Sequence, residues 1–448
     1  MVFFPTLVSL ALVASAAVAN ASPQTGYAEQ LKRHRHQRST STGKPTVEKR
    51  SARFPYGTTK VRGVNIGGWL VAEPFITPSL FDDTGNSAIV DEWTFGQYQS
   101  SSTALAALQN HWNTFITEQD FADIAAAGLN HVRIPIGFWA FDVSGGEPYV
   151  KANQYDLLKT AIGWAANHGL WVIVDLHGVP GSQNGYDNSG HRGTPTWQTS
   201  SSYITRTNNI IKTLSAEFSQ SSYADVVVGI APMNEPAGYY SSQLLSAAKQ
   251  FWYDSYGNIR QNGNVMEVMH DAFQSLDYWD GIMPYSKGYT EVMMDTHHYE
   301  IFSNADVAMS YSQHISTACS RGAAIATWAA NSNNLWTIVG EFVSTPYDCA
   351  KYLNGRGIGA RYDGTYSGST YIGSCTPYTG ATSGFSSSYK TFMREFWEAQ
   401  TIAFEGGNGW IYWTWKTESA DEWSYKAGLA GGWIPQNPTN RLYPNICD

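Results

Sequence analysis

Eight short apolar runs recur along this chain, spaced so that a helix fits between most neighbours. This recurrence narrows the choice of fold more than any single motif. The runs cover residues 61–66, 131–135, 171–176, 226–231, 265–269, 291–295, 337–339 and 410–413. Their lengths and β-branched content suit buried parallel strands. Helical patterns occupy 120–127 ahead of the second run, 154–167 ahead of the third, 202–218 ahead of the fourth, 243–259 ahead of the fifth and 389–404 ahead of the eighth. Eight strands alternating with helices predict an α/β chain closed into a single-domain (β/α)8 barrel. A doubly wound open sheet is the competing arrangement, but no G-x-G-x-x-G turn follows the first run. The sixth run is ambiguous, because Met293-Met294-Asp295 suits a helix as well as a strand.

Polar residues fall in register with the ends of these runs. Arg133 lies near the end of the second, His177 near that of the third, Asn234 and Glu235 of the fourth, His297, His298 and Tyr299 of the sixth, Glu341 of the seventh, and Trp413 and Trp415 of the eighth. In a parallel barrel those ends form one rim, where catalytic groups arrive from several strands. Glu235 sits in Ile230-Ala231-Pro232-Met233-Asn234-Glu235-Pro236 and Glu341 in Trp336-Thr337-Ile338-Val339-Gly340-Glu341-Phe342. Cleaving a glycosidic bond needs two carboxyl groups on opposite sides of one carbon, one neutral and one ionised. Either glutamate alone would serve equally well as a helix cap or a partner for a surface lysine. The pair, aligned with the other rim residues, points to glycoside hydrolysis.

Composition places this chemistry outside the cell. Residues 2–18 are apolar and run into Ala19-Asn20-Ala21, so residues 1–21 read as a secretory signal peptide, although no Lys or Arg stands beside Met1. Residues 22–50 are polar, poor in core formers and closed by the dibasic pair Lys49-Arg50; they read as a disordered pro-segment, with residues 51–448 as the catalytic domain. No later stretch is long and apolar enough to span a bilayer. Seven of the 28 Lys and Arg but two of the 37 Asp and Glu precede Ser51, which leaves the remainder a formal net charge of −14. Such a surface argues against nucleic acid and anionic membranes as partners. It suits a secreted monomer acting on a neutral polymer. Cys319, Cys349, Cys375 and Cys447 predict two disulfides in an oxidising compartment, with three pairings open. They lack the C-x₂₋₄-C clustering of a zinc site, and no H-E-x-x-H spacing appears, so neither metal nor cofactor is expected.

Six ordered segments carry a resemblance. They are Gly63-Val64-Asn65-Ile66-Gly67-Gly68-Trp69-Leu70-Val71-Ala72-Glu73-Pro74-Phe75, Asp175-Leu176-His177-Gly178-Val179-Pro180-Gly181-Ser182-Gln183-Asn184-Gly185, Met233-Asn234-Glu235-Pro236, His297-His298-Tyr299, Gly340-Glu341-Phe342 and Trp413-Thr414-Trp415-Lys416-Thr417-Glu418. Together they resemble the secreted fungal exo-β-1,3-glucanases of glycoside hydrolase family five. The likeness runs over nearly all of residues 51–448.

The resemblance implies that Glu235 is the acid/base, Glu341 the nucleophile, and that the anomeric configuration is retained. It implies supporting roles for Arg133, His177, Asn234, His297 and Tyr299, and a sugar-facing Trp on the eighth strand. Trp413 and Trp415 compete for that place, since residues two apart on a strand share a face. By the same resemblance Glu73, Asp187 and Asn188 hold the terminal glucose, Tyr186 and Phe302 grip the next sugars, and the disulfides are Cys319–Cys447 and Cys349–Cys375. Arg133 and Tyr299 are expected to favour the Glu341 anion, whose charge would raise the pKa of Glu235. The implied activity is release of glucose from non-reducing ends of β-1,3-glucan, with transfer to other sugars in wall remodelling. A β-1,6- or endo-acting glucanase on the same frame, or a catalytically silent wall-binding protein, are the rival readings.

Overall fold

The computed structural model describes residues 53–448; the expected signal peptide and the pro-segment lie outside the described residues. Eight strands pair in parallel in chain order: β1 Val61–Asn65, β2 His131–Gly137, β3 Trp171–Gly178, β4 Val227–Ala231, β5 Met266–His270, β6 Val292–His298, β7 Trp336–Phe342 and β8 Gly409–Tyr412. β8 pairs with β1 and closes the barrel. The ambiguous sixth run is therefore a strand.

Helices Glu118–Ala126, Gln154–Asn167, Ser201–Phe218, Ser242–Arg260, Tyr311–Ala330 and Ser387–Phe404 connect successive strands. Ser241 and Ser386 cap two of them by accepting the Leu244 and Tyr389 amide protons, which would otherwise lack partners. Tyr311–Ala330 is a helix that periodicity did not single out, because Ala, Ser and Gly dilute its apolar stripe. Its start was nonetheless written in Ser310 and Gln313, which form a capping box. Alternation breaks between β5 and β6, where the short turns Leu276–Trp279 and Tyr285–Lys287 stand in place of an α-helix.

The barrel interior changes character along its axis. Near the strand starts Val61, Ile173, Met266, Val268, Met293 and Ile338 form an apolar plug, with Phe54 and Tyr56 packed across it. Successive inward positions alternate by two, so on β3 the column Ile173, Asp175, His177 climbs from apolar to polar, and on β6 Met293, Asp295, His297 does the same. The core outside the strands is a continuous apolar layer under the helices. Both disulfides form with the pairings the resemblance implied: Cys319–Cys447 ties the chain end to helix Tyr311–Ala330, and Cys349–Cys375 closes the excursion after β7.

Candidate active site

Polar groups buried at the top of the barrel must find partners there, and they do so around Arg133. From β2 its Nη1 donates to Glu341 Oε1 at 2.9 Å and to Asn65 Oδ1 at 3.0 Å. Its Nη2 donates to Asn234 Oδ1 at 2.6 Å and lies 3.1 Å from Asp175 Oδ2. Asp175 also holds His177 Nδ1 at 2.6 Å. One guanidinium thus joins β1, β2, β3, β4 and β7. Burial alone would lower its pKa, but Asp175, Glu341 and Asp295 raise it, so it is a permanent cation.

Glu341 is the penultimate residue of β7. Its Oε2 accepts the Tyr299 hydroxyl proton at 2.9 Å, and its Oε1 is held by Arg133. Both donors favour the anion. Glu235 stands just beyond β4 with φ of 45°, a left-handed backbone that costs a non-glycine residue about 1–3 kcal/mol and clusters at functional sites. Neighbouring amides pin that turn: Asn234 N donates to Leu176 O at 3.1 Å and Ala237 N to Gln183 O at 3.0 Å. The Gln183 side-chain amide bridges His177 O and Asn234 O at 2.7 and 2.8 Å.

His297 brings the two carboxylates together. Its Nδ1 lies 2.8 Å from Glu235 Oε1 and 3.5 Å from Glu341 Oε2. Those two oxygens are therefore no more than roughly 6 Å apart, compatible with the ~5–5.5 Å of a retaining pair and short of the wider inverting spacing. Glu235 Oε2 accepts from Asn188 Nδ2 at 3.1 Å.

Charge is distributed differently from the expectation. Burial raises Glu235, but the hydrogen bond and positive charge of His297 outweigh it and hold the group below the ordinary glutamate range. Burial would lower His297, yet Glu341 and Asp295 push it well above the usual imidazole range. Glu341 is raised by burial, against the pull of His297 and Arg133. The imidazole of His297 thus favours the Glu235 anion, opposite to the raised pKa expected for that carboxyl. The charge of Glu341 does not win at Glu235, because the imidazolium lies closer.

The remaining residues fall as follows. Glu73 is buried, and burial, then Asp187 and Glu341, push its carboxyl well up. Asp187, on the turn Asp187–Ser189, is pushed up to about 7 by burial and by Asp91. Asn188, read as a sugar ligand, holds Glu235 in this structure. Tyr186 and Phe302 are half exposed; the Tyr186 hydroxyl bonds that of Tyr239, and Phe302 lies edge-on to Tyr299 at 5.4 Å. His298 packs behind the rim on Phe404 and accepts from Arg321.

Trp413 stacks on His177, ring centroids 5.5 Å apart. Trp415 does not share its face. β8 ends at Tyr412, so the two-residue alternation stops before Trp415, whose Nε1 donates to Asp120 Oδ1 at 3.0 Å on helix Glu118–Ala126. Trp415 is buried structure, and its place as a sugar-facing residue is withdrawn.

Four contributors carried no role in the sequence reading: Asn65, Asp175, Gln183 and Asp295. Asn65, Asp175 and Asp295 are buried polar side chains on apolar strands, and that mismatch was the available signal; Gln183 lies in the loop after β3 and gave none. His270, from β5, joins Glu235 and His297 in a group whose donor atoms lie within 4.8 Å of one another, a spacing that could suit a metal. The His270 tautomer opposes it. Ala272 N donates to Nδ1 at 3.0 Å, so Nε2 carries the hydrogen and offers no lone pair.

The family description that matches this chain is Cellulase (glycosyl hydrolase family 5), over residues 96–354. A glucan 1,3-beta-glucosidase of Candida oleophila is 43% identical, covering 90% of this chain and 94% of its own. One from Blumeria graminis is 44% identical, covering 90% and 92%. The glucan 1,3-beta-glucosidase I/II of Saccharomyces cerevisiae is 43% identical over 86% and 87%. Among solved structures, a rutinosidase from Aspergillus niger superposes with a TM-score of 0.65 at 19% identity, covering 85% of this chain and 99% of its own. That last likeness speaks for the barrel alone.

Proposed function

The chain belongs to glycosyl hydrolase family 5 and is a glycoside hydrolase, and from that premise we propose that it is a secreted, retaining exo-β-1,3-glucosidase releasing glucose from non-reducing ends of β-1,3-glucan. The observation that carries this reading is the meeting of Glu235 and Glu341 at one imidazole nitrogen of His297. The substrate class follows from relatives above 40% identity over most of both chains, named glucan 1,3-beta-glucosidase. Two disulfides and the expected signal peptide support secretion.

A carboxylate of Glu341 attacks the anomeric carbon while Glu235 gives a proton to the departing glycosidic oxygen. The bond from that carbon to the leaving sugar breaks as the ester to Glu341 forms. Glu235 obtains its proton across the 2.8 Å contact from His297. Water then attacks the anomeric carbon as its bond to Glu341 breaks; the water proton passes to Glu235 and back to His297, and Glu341 leaves as the anion held by Arg133 and Tyr299. Asn234, oriented by Arg133, is placed to hydrogen-bond the sugar 2-hydroxyl as charge develops. Glu73, Asp187 and Asn188 hold the terminal glucose, and Trp413 on His177 supplies the apolar floor. A second sugar taking the place of water would give transglycosylation and remodelling of wall glucan.

Product analysis on linear β-1,3, β-1,6 and β-1,4 oligomers tests the reading. The β-1,3 series should yield glucose one unit at a time, with NMR showing the β anomer first. An α product, internal cuts or a preference for β-1,6 oligomers would overturn it.

A further inference from the structure

The two loops assigned to the terminal sugar share an anchor that touches no sugar. Asp91, Glu92 and Trp93 open the short helix Glu92–Gln97, and each reaches a different piece of the site wall. Asp91 is fully buried. Its Oδ1 caps the helix by accepting Thr94 N at 2.7 Å, and its Oδ2 accepts Arg192 N at 2.7 Å. Glu92, also buried, accepts Ala72 N on Oε2 at 2.9 Å, one residue before Glu73, and Trp139 Nε1 on Oε1 at 2.8 Å. Trp93 N donates to Gly190 O at 2.9 Å, and its ring stacks on His191 at 4.2 Å.

Gly190, His191 and Arg192 directly follow the turn Asp187–Ser189, which carries Asp187 and Asn188. Gly190 has φ of 85°, and a Cβ there would come within 2.4 Å of the Trp139 ring. The turn therefore rests on the indole that Glu92 holds. One three-residue segment thus fixes Glu73 on one side and Asp187 with Asn188 on the other.

We propose that Asp91 and Glu92 are positioning residues for the chain-end site, setting the distance between Glu73 and the Asp187–Asn188 turn and hence how strictly the enzyme demands a terminal glucose. This rests on the reading of those three residues as the sugar-holding set. Buried carboxylates suit the task, because each oxygen can accept a separate backbone or indole proton and geometry is held at both ends. Asn188 also donates to Glu235, so the same anchor steadies the acid.

Two variants test it. Asp91→Asn keeps the shape and the Thr94 cap but turns a donor towards Arg192 N. Glu92→Gln keeps the shape but sets an amide donor against either Ala72 N or Trp139 Nε1. Inhibition of aryl β-glucoside hydrolysis by 1-deoxynojirimycin, a mimic of terminal glucose, should weaken roughly tenfold, as for one lost buried hydrogen bond. KM should rise more than kcat falls, and sugars longer than glucose should appear among the first products from β-1,3 oligomers. Unchanged inhibition and unchanged products in either variant, with its melting transition intact, would overturn the proposal. If Asp91→Asn does not fold, Glu92→Gln decides. Longer sugars from the unmodified protein would sink the exo reading instead, while the inhibition constants still judge the anchor.

Discussion

His297 Nδ1 lies 2.8 Å from Glu235 Oε1, and that contact couples the ionisation of the two groups. The imidazole belongs to β6, whose register sets His297 beside Glu341 on β7. Glu341, Asp295 and Glu235 surround it with negative charge, which pushes the imidazole up while the imidazole pulls Glu235 down. In the proposed mechanism Glu235 acts as an acid by drawing on this neighbour.

Replacing that neighbour should move the pH profile. In His297→Gln the proton must reside on Glu235 itself, which is freed from its depression but remains a carboxyl. The alkaline limb of kcat/KM should shift to lower pH, and activity at pH 7 should fall about 10²–10³-fold. A variant whose limb stays in place would show that His297 does not hold the proton.

Glu341→Gln removes the proposed nucleophile and keeps the shape. Turnover should fall by about 10³-fold or more, with the melting temperature near that of the parent. Substantial remaining hydrolysis, measured against contaminating activity, would reassign the role.

Glu235→Ala should be slow on natural glucan but partly rescued by azide on an activated aryl glucoside, where the leaving group needs no proton. The rescued product should be the β-glucosyl azide, visible by NMR. Absence of rescue would count against Glu235 as acid/base.

Stability should peak in mildly acidic solution. Burial pushes Glu267 and Glu422 up to about 8. A carboxyl whose folded pKa exceeds its unfolded one is protonated more fully in the folded state, so its contribution is complete below the unfolded value and is lost as pH rises through about 8. At Asp142 burial is outweighed by the Arg206 bonds, which hold the group down at about 2, so its contribution is lost only as pH falls towards that value. Melting temperature should therefore decline from pH 5 to pH 8. Glu267→Gln, which cannot ionise, should regain roughly 2–4 °C at pH 8 and change little at pH 5. A parallel pH curve for the variant would refute the assignment to Glu267.

Much of the site was legible because strand ends in a parallel barrel share one rim. Placing Arg133, His177, Glu235, His297 and Glu341 on successive strands was enough to collect them. Trp415 stood as an alternative to Trp413 by the same reasoning, carried three residues past the end of β8 at Tyr412. The helix Tyr311–Ala330 escaped because its small residues give a weak apolar stripe, although its capping box stood in plain view.

Alternation, run length and carboxylate placement are local properties of the chain. They determined the barrel, its polar rim and the two glutamates before any coordinate was known. Which group holds the proton, and what steadies Glu73 and Asn188, depended on distances between residues far apart in sequence. Hydrogen bonds need contact, and charge interactions depend on separation and burial, so only the closed barrel and its packed loops could decide them.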